Sequence, residues 1–305
     1  MQNKYSEILG LIERWVADEV DDFQTMSKGV QKALDTCTTD ELVVLLEQTG
    51  VIPEKYAHDS THEKLYAKMS DCVVAHLFKK LGFETQVVKE RADSADVLGR
   101  SRFHNYSFVA DAKVFRLSRT AKNQKDFKVN SMNEWKGDAE YAMIVCPFYQ
   151  YPTTSSQIYS QVLTTGVALG SFEHLLFCFK KGIKESKTAS LRDIFAYPAA
   201  LAKTVSVSER KQASHVMNAL DAAVARICKT TTKDAIEFRR GLRKTVLSPR
   251  AAKEIAYWET VMAKIKKMSQ KEAQEALIKS LKIRSKIVSI REFLVADDEF
   301  ADPPD

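Results

Sequence analysis

The sequence predicts an α/β (α+β) fold: a small mixed central sheet flanked by helices, with further helical regions at both ends. Three observations carry that prediction. Apolar residues recur at helical spacing through the first 80 positions, short apolar segments bounded by polar stretches follow between 84 and 146, and beyond about Ser208 only helical patterns remain. At 305 residues and 45% apolar, the chain has material for a sizeable core. The expected organisation is a single large domain over 1–305, with N-terminal helices at 1–60, a central core at 61–207 and a helical C-terminal region at 208–305.

Taken in order, Ile8, Leu9, Leu11, Ile12, Trp15, Val16 and Val20 recur along 5–24 as they would on one helix. A second helix fits Thr39–Thr49, with Asp40 near its start and Gly50 beyond its end. Ser60-Thr61-His62-Glu63 has the capping-box pattern, so a helix is expected from there to about Lys80, stopping near Gly82. Glu84–Val88, Ala95–Leu98, Ser107–Lys113 and Tyr141–Cys146 read as buried strands. After Pro147 come a polar loop, a helix from Ser156, a short strand near Val167 and a helix from Ser171. Helices are then expected at 208–229, 232–245, 249–268, 269–281 and 285–294.

Composition narrows the function classes. The formal net charge of +6 is modest, but residues 112–130 hold six basic residues against one acid, Asp126. So concentrated a charge favours a phosphate backbone. Five widely spaced cysteines with no C-x-x-C argue against a disulfide framework or a zinc site and for a reducing compartment. No stretch approaches the roughly 20 apolar residues that span a bilayer, and the first residues lack a signal pattern, so a soluble cytoplasmic protein is expected. The six histidines are scattered, and no Walker loop or G-x-G-x-x-G occurs.

The chemistry concentrates at Val109-Ala110-Asp111-Ala112-Lys113. Alternate side chains share a strand face, so Asp111 and Lys113 are neighbours about 6–7 Å apart at the backbone. Asp96 lies on the preceding strand candidate, and a hairpin-like return through 100–106 brings it beside Asp111. Two carboxylates at one point suit Mg²⁺, a hard cation bound through oxygen, and Lys113 can then serve an attacking water. By itself an Asp-x-Lys pair is more often an ordinary surface ion pair; the apolar run before it and the basic tract after it bring a nuclease site level with that reading. Glu63 reads first as a helix cap and second as an auxiliary acid. Glu90 falls in a polar loop with Arg91 and Asp93, where solvation is the default.

The basic run recurs every third position through Lys113, Arg116, Arg119, Lys122, Lys125 and Lys128. It reads either as a solvated stripe on one helix face or as a DNA contact. The second reading is favoured because interleaved acids are missing and because Asn123, Gln124, Lys125 and Asp126 carry groups that read base edges. Phosphate contacts are better founded than base contacts.

Asp96 followed by Asp111-Ala112-Lys113 resembles the PD-(D/E)xK nuclease superfamily, with Ala95 in place of the usual proline. The longer string 108–129 (FVADAKVFRLSRTAKNQKDFKV), together with Pro147-Phe148-Tyr149-Gln150-Tyr151-Pro152-Thr153-Thr154, Glu63-Lys64-Leu65 and Ile52-Pro53-Glu54, resembles the HindIII family of type II restriction endonucleases. The likeness is dense from about 40 to 175 and thin in the C-terminal third. It implies a PD-(D/E)xK nuclease core and a Mg²⁺-dependent homodimer that cuts duplex DNA at a palindrome, 5′-AAGCTT-3′, between the adenines to leave 5′ overhangs. A DNA methyltransferase is implied in the same host. Asp96 and Asp111 are then the metal ligands and Lys113 the third catalytic residue. Glu63 and Glu90 are auxiliary acids, the latter one position from where the family's acid is expected. Arg116, Arg119, Lys122, Asn123, Lys125, Asp126 and Lys128 form the DNA-binding set. The alternatives are another nuclease of the superfamily with a different target, or a DNA-binding protein that does not cut.

Overall fold

The apolar segments between residues 84 and 170 assemble into one five-stranded sheet. Its strands are β1 (Glu84–Val87), β2 (Val97–Arg100), β3 (Ser107–Ala112), β4 (Tyr141–Val145) and β5 (Ala168–Gly170), in the order β1-β2-β3-β4-β5. The short separations in sequence between β1, β2 and β3 go with an antiparallel half, whereas the long connections after β3 and β4 allow the other half to be parallel. β3 and β4 are buried on both faces because helices pack against them, and apart from Asp111 their buried residues are apolar; all of β3 except Ser107 and all of β4 except Tyr141 is buried. The computed structural model describes residues 4–19, 23–88, 94–119, 124–281 and 283–288.

The N-terminal pattern forms two helices instead of one, α1 (Lys4–Ala17) and α2 (Phe23–Asp35). α2 buries Met26, Val30 and Leu34 at helical spacing, a sparse signal diluted by polar residues and an internal Gly29. α3 (Thr39–Thr49) has the expected limits and starts on a reciprocal cap: Thr38 Oγ1 accepts from Glu41 N at 3.2 Å, and Thr38 N donates to Glu41 Oε2 at 2.9 Å. α4 (Thr61–Lys80) is buried along most of its length and packs on β1, β2 and β3. Its Phe78 lies 4.8 Å from the Phe108 ring, which stacks at 4.4 Å on Phe195 and fastens helix to sheet.

The parallel crossovers contain α5 (Gln124–Phe127) and α6 (Val129–Trp135), between β3 and β4, and α7 (Gln157–Thr165), between β4 and β5; α8 (Phe172–Lys180) and α9 (Asp193–Leu201) follow β5. α9 has no counterpart among the expected elements: Pro198 lies inside it, and its apolar residues, packed on α10, β4 and β5, leave only the small Ala199 and Ala200 exposed near its end, so no polar stripe marks a helix. The C-terminal patterns become α10 (Ala213–Ile227), α11 (Thr232–Leu242), α12 (Ser248–Lys266) and α13 (Gln270–Ser280), with a π-helical turn at Arg243–Leu247 joining α11 to α12. Residues 283–288 are helical; the rest of the expected 285–294 helix lies outside the described residues. The chain divides into two compact units, Met1–Glu254 and Ile255–Asp305. The first holds the sheet and the common core. In the second, none of the described residues is buried, and Ile255, Met262, Ile265, Leu277 and Leu281 are exposed.

Candidate active site

The antiparallel register of β2 and β3, with Val97 opposite Ala110, carries Asp96, one residue before β2, to a position opposite Asp111. Directly opposed residues project on the same side. α4 crosses this end of the sheet and contributes a third carboxylate, Asp71, whose Oδ1 accepts from Ala112 N at 3.0 Å. One oxygen from each of Asp71, Asp96 and Asp111 lies within 4.8 Å of the others. Asp71 and Asp111 are buried, at 4% and 2% exposure, and the Asp96 side chain is 37% exposed. Lys113 Nζ stands 2.5 Å from Asp111 Oδ2, an atom otherwise buried and without a well-angled hydrogen bond.

Three acids at one point repel. Burial, and then the charges of Asp96 and Asp111, push the Asp71 carboxyl well above the usual carboxylate range, against the opposing Ala112 N–H. Burial also raises Asp111, Lys113 pulls it back, and Asp96 adds to the rise; the net direction is up. Burial alone would lower Lys113, but Asp111, Asp71 and Asp96 outweigh it and keep its ammonium charged. An all-oxygen donor set with excess negative charge and a buried, poorly satisfied carboxylate oxygen fits a hard divalent cation such as Mg²⁺.

The structure thus brings Asp96, Asp111 and Lys113 together as the sequence suggested. Glu63 goes elsewhere. Its amide donates to Ser60 Oγ at the start of α4, and its carboxylate accepts from Asp59 N at 2.7 Å and pairs with Arg116 at 3.0 Å. Its second cluster, with His58 and Asp59, is exposed apart from Glu63 itself. Glu90, Lys122 and Asn123 lie outside the described residues.

The basic run is not one helix face: Lys113, Arg116 and Arg119 lie in the non-helical loop of residues 113–119 after β3, Lys125 lies in α5 and Lys128 at the start of α6. Arg116 is drawn inward, donating to Tyr56 O at 2.9 Å besides pairing with Glu63. Arg119 pairs with Asp126 and lies over the Phe115 ring. Lys125 and Lys128 are exposed, Lys128 in a left-handed conformation at the start of α6 with its ammonium 5.4 Å from the Trp135 ring centre. The loop is fixed by buried Glu54, which accepts from Ser118 N at 2.9 Å and Ser118 Oγ at 2.7 Å. The aromatic segment after Pro147 packs inward: Tyr151 donates to Gly170 O and Phe148 faces Arg239.

Sequence reasoning missed Asp71, Lys68 and Glu54. Asp71 did leave a signal: it stands among Met69, Cys72, Val73 and Val74, where the middle of an apolar helix has no ordinary use for an acid.

Comparisons with known proteins bear on the family of the chain. The family model described as HindIII restriction endonuclease matches residues 6–294. The type II restriction enzyme HindIII of Haemophilus influenzae is 34% identical over 288 residues, covering 94% of this chain and 94% of the relative. Among solved structures, restriction endonuclease FokI superposes with a TM-score of 0.36 at 12% identity, over 57% of this chain and 33% of that one. A family match along nearly the whole length, with a relative at this identity, is decisive: the chain belongs to the HindIII restriction endonuclease family.

Proposed function

We propose that this restriction endonuclease hydrolyses duplex DNA at 5′-AAGCTT-3′, between the two adenines, leaving 5′-phosphates on 5′ overhangs and requiring Mg²⁺. The observation that carries the reading is the convergence of Asp71, Asp96 and Asp111 beside Lys113 at the end of β3. Asp96 and Asp111 hold the cation, and Asp71 supplies a third oxygen. Bound there, the cation offsets charge on the scissile phosphate and acidifies water. Burial and its two acid neighbours bias the Asp71 carboxyl toward its neutral form, and added positive charge at the site would favour the carboxylate. Lys113, held protonated, donates to the attacking water and to a phosphate oxygen as charge develops.

Lys125 in α5 and Lys128 just before α6 meet the DNA, and the same role is assigned from the sequence to Lys122 and Asn123. Arg116, Arg119 and Asp126 shape the loop that presents them, since each has a partner within the chain. A palindrome offers two identical half-sites, so a two-fold homodimer places one site on each strand. The exposed apolar residues of 255–281 supply a surface for that pairing. The enzyme acts in the cytoplasm, where a cognate methyltransferase protects the host; no helix among the described residues is long and apolar enough to cross a membrane.

The test pairs binding with cleavage. Asp111→Asn and Lys113→Ala should bind an AAGCTT duplex with wild-type preference over scrambled DNA and should not cut it in Mg²⁺. Near-normal cutting by either variant removes that residue from the mechanism. A wild-type protein that binds DNA and never cuts would be a binding protein built on a nuclease core.

A further inference from the structure

Lys68 is buried in the middle of α4, with a side chain only 8% exposed. A lysine so placed is costly unless its charge is answered. It stands one turn before Asp71, so the two side chains leave the same face of the helix. Its Nζ donates to Asp96 Oδ1 at 2.9 Å and to Val88 O at 3.3 Å. Val88 N in turn donates to Asp96 O at 2.8 Å, so Val88 and Asp96 form the closing pair of the β1–β2 hairpin. Lys68 therefore grips both sides of that pair at once.

Asp96 needs such a grip. Asp71 is held by the Ala112 amide and Asp111 by its place in the central strand. Asp96 lies beyond the end of β2, is the most exposed of the three, and among the described residues Lys68 is the side chain hydrogen-bonded to it. An ammonium on Oδ1 fixes the carboxylate and leaves Oδ2 for another partner.

We propose that Lys68 is a positioning residue of the metal site. It aims Asp96 at the Asp71–Asp111 pair and so sets the affinity for the divalent cation without touching the reacting atoms. The proposal rests on the active-site reading above. It differs from two plainer roles. A purely structural lysine would anchor α4 to the hairpin and leave metal affinity alone. A counter-charge that merely competes with the cation would weaken metal binding, so its removal would tighten it.

The experiment compares wild type with Lys68→Met, which keeps the packing and removes the ammonium. Two readouts are taken: the Mn²⁺-induced rise in melting temperature of the DNA-free protein, and the Mg²⁺ concentration giving half-maximal cleavage. Loss of a group that orients a metal ligand weakens metal binding by about 10–100-fold. Both midpoints should therefore move to at least about tenfold higher metal, whatever the change in the metal-free melting temperature. Unchanged midpoints overturn the proposal, as do lower ones. Should Lys68→Met fail to fold, Lys68→Gln, which keeps a polar donor without the charge, is read by the same two midpoints. A wild-type protein that neither responds to Mn²⁺ nor cuts would instead overturn the active-site reading on which this rests.

Discussion

Asp71 and Asp111 are acids that folding forces into a dry site beside a third, and their raised pKa values have a definite thermodynamic sign. An acid whose folded pKa lies above its unfolded value binds more protons when folded, so stability falls as pH rises from the unfolded pKa, near 3.8, through the folded one. Asp71 therefore destabilises the metal-free protein once the pH rises above its unfolded pKa. Asp71→Asn keeps the acceptor for Ala112 N and removes this penalty. Metal-free Asp71→Asn is expected to unfold at higher urea than wild type at pH 7, with the difference closing by about pH 4. Mg²⁺ should then stabilise wild type more than the variant, by mass action. Equal urea midpoints at both pH values would show that Asp71 carries no such penalty.

At the scale of elements, α4 organises the site. It provides Asp71 and Lys68 and packs against all three antiparallel strands. Its limits were legible because Ser60 and Gly82 punctuate an apolar run, and β3 was legible because a buried strand has few other readings. Strand alternation made Asp111 and Lys113 neighbours, and the β2–β3 return made Asp96 their companion. Asp71 was hidden because it arrives by packing, 41 positions from the amide it accepts. α2 and α9 were hidden for opposite reasons, one too polar for a clear stripe and the other too apolar to show one. Of the two readings of the basic run, the single helix stripe fails, because residues 113–119 are a non-helical loop and Lys125 lies in a separate short helix, α5. Glu54 holds that loop, and Glu54→Ala would strand the Ser118 N–H and hydroxyl. A loss of about 1–3 kcal/mol is expected, with faster amide exchange at Ser118. Unaltered exchange there would place the loop's anchor elsewhere.

For the whole molecule, double-strand cutting needs two copies of a site that each chain supplies once among its described residues. The Ile255–Asp305 unit has apolar residues exposed along α12 and α13, and water is a poor partner for them. The double variant Met262→Asp, Ile265→Asp is expected to sediment as a monomer and to nick supercoiled plasmid without linearising it efficiently; a dimer of wild-type mass would move the interface to another surface. The exposed Lys125 of α5 and Lys128, at the N-cap of α6, bear on DNA contact, since replacing one that neutralises a phosphate should flatten the salt dependence of DNA binding by about one in log–log slope. The central claim is tested most directly by digesting plasmid DNA of known sequence with Mg²⁺ and with EDTA, then sequencing the ends. Cuts confined to AAGCTT, between the adenines and only with Mg²⁺, are expected. Cuts at other sequences, or cutting that survives EDTA, would contradict the assigned specificity or the assigned chemistry respectively.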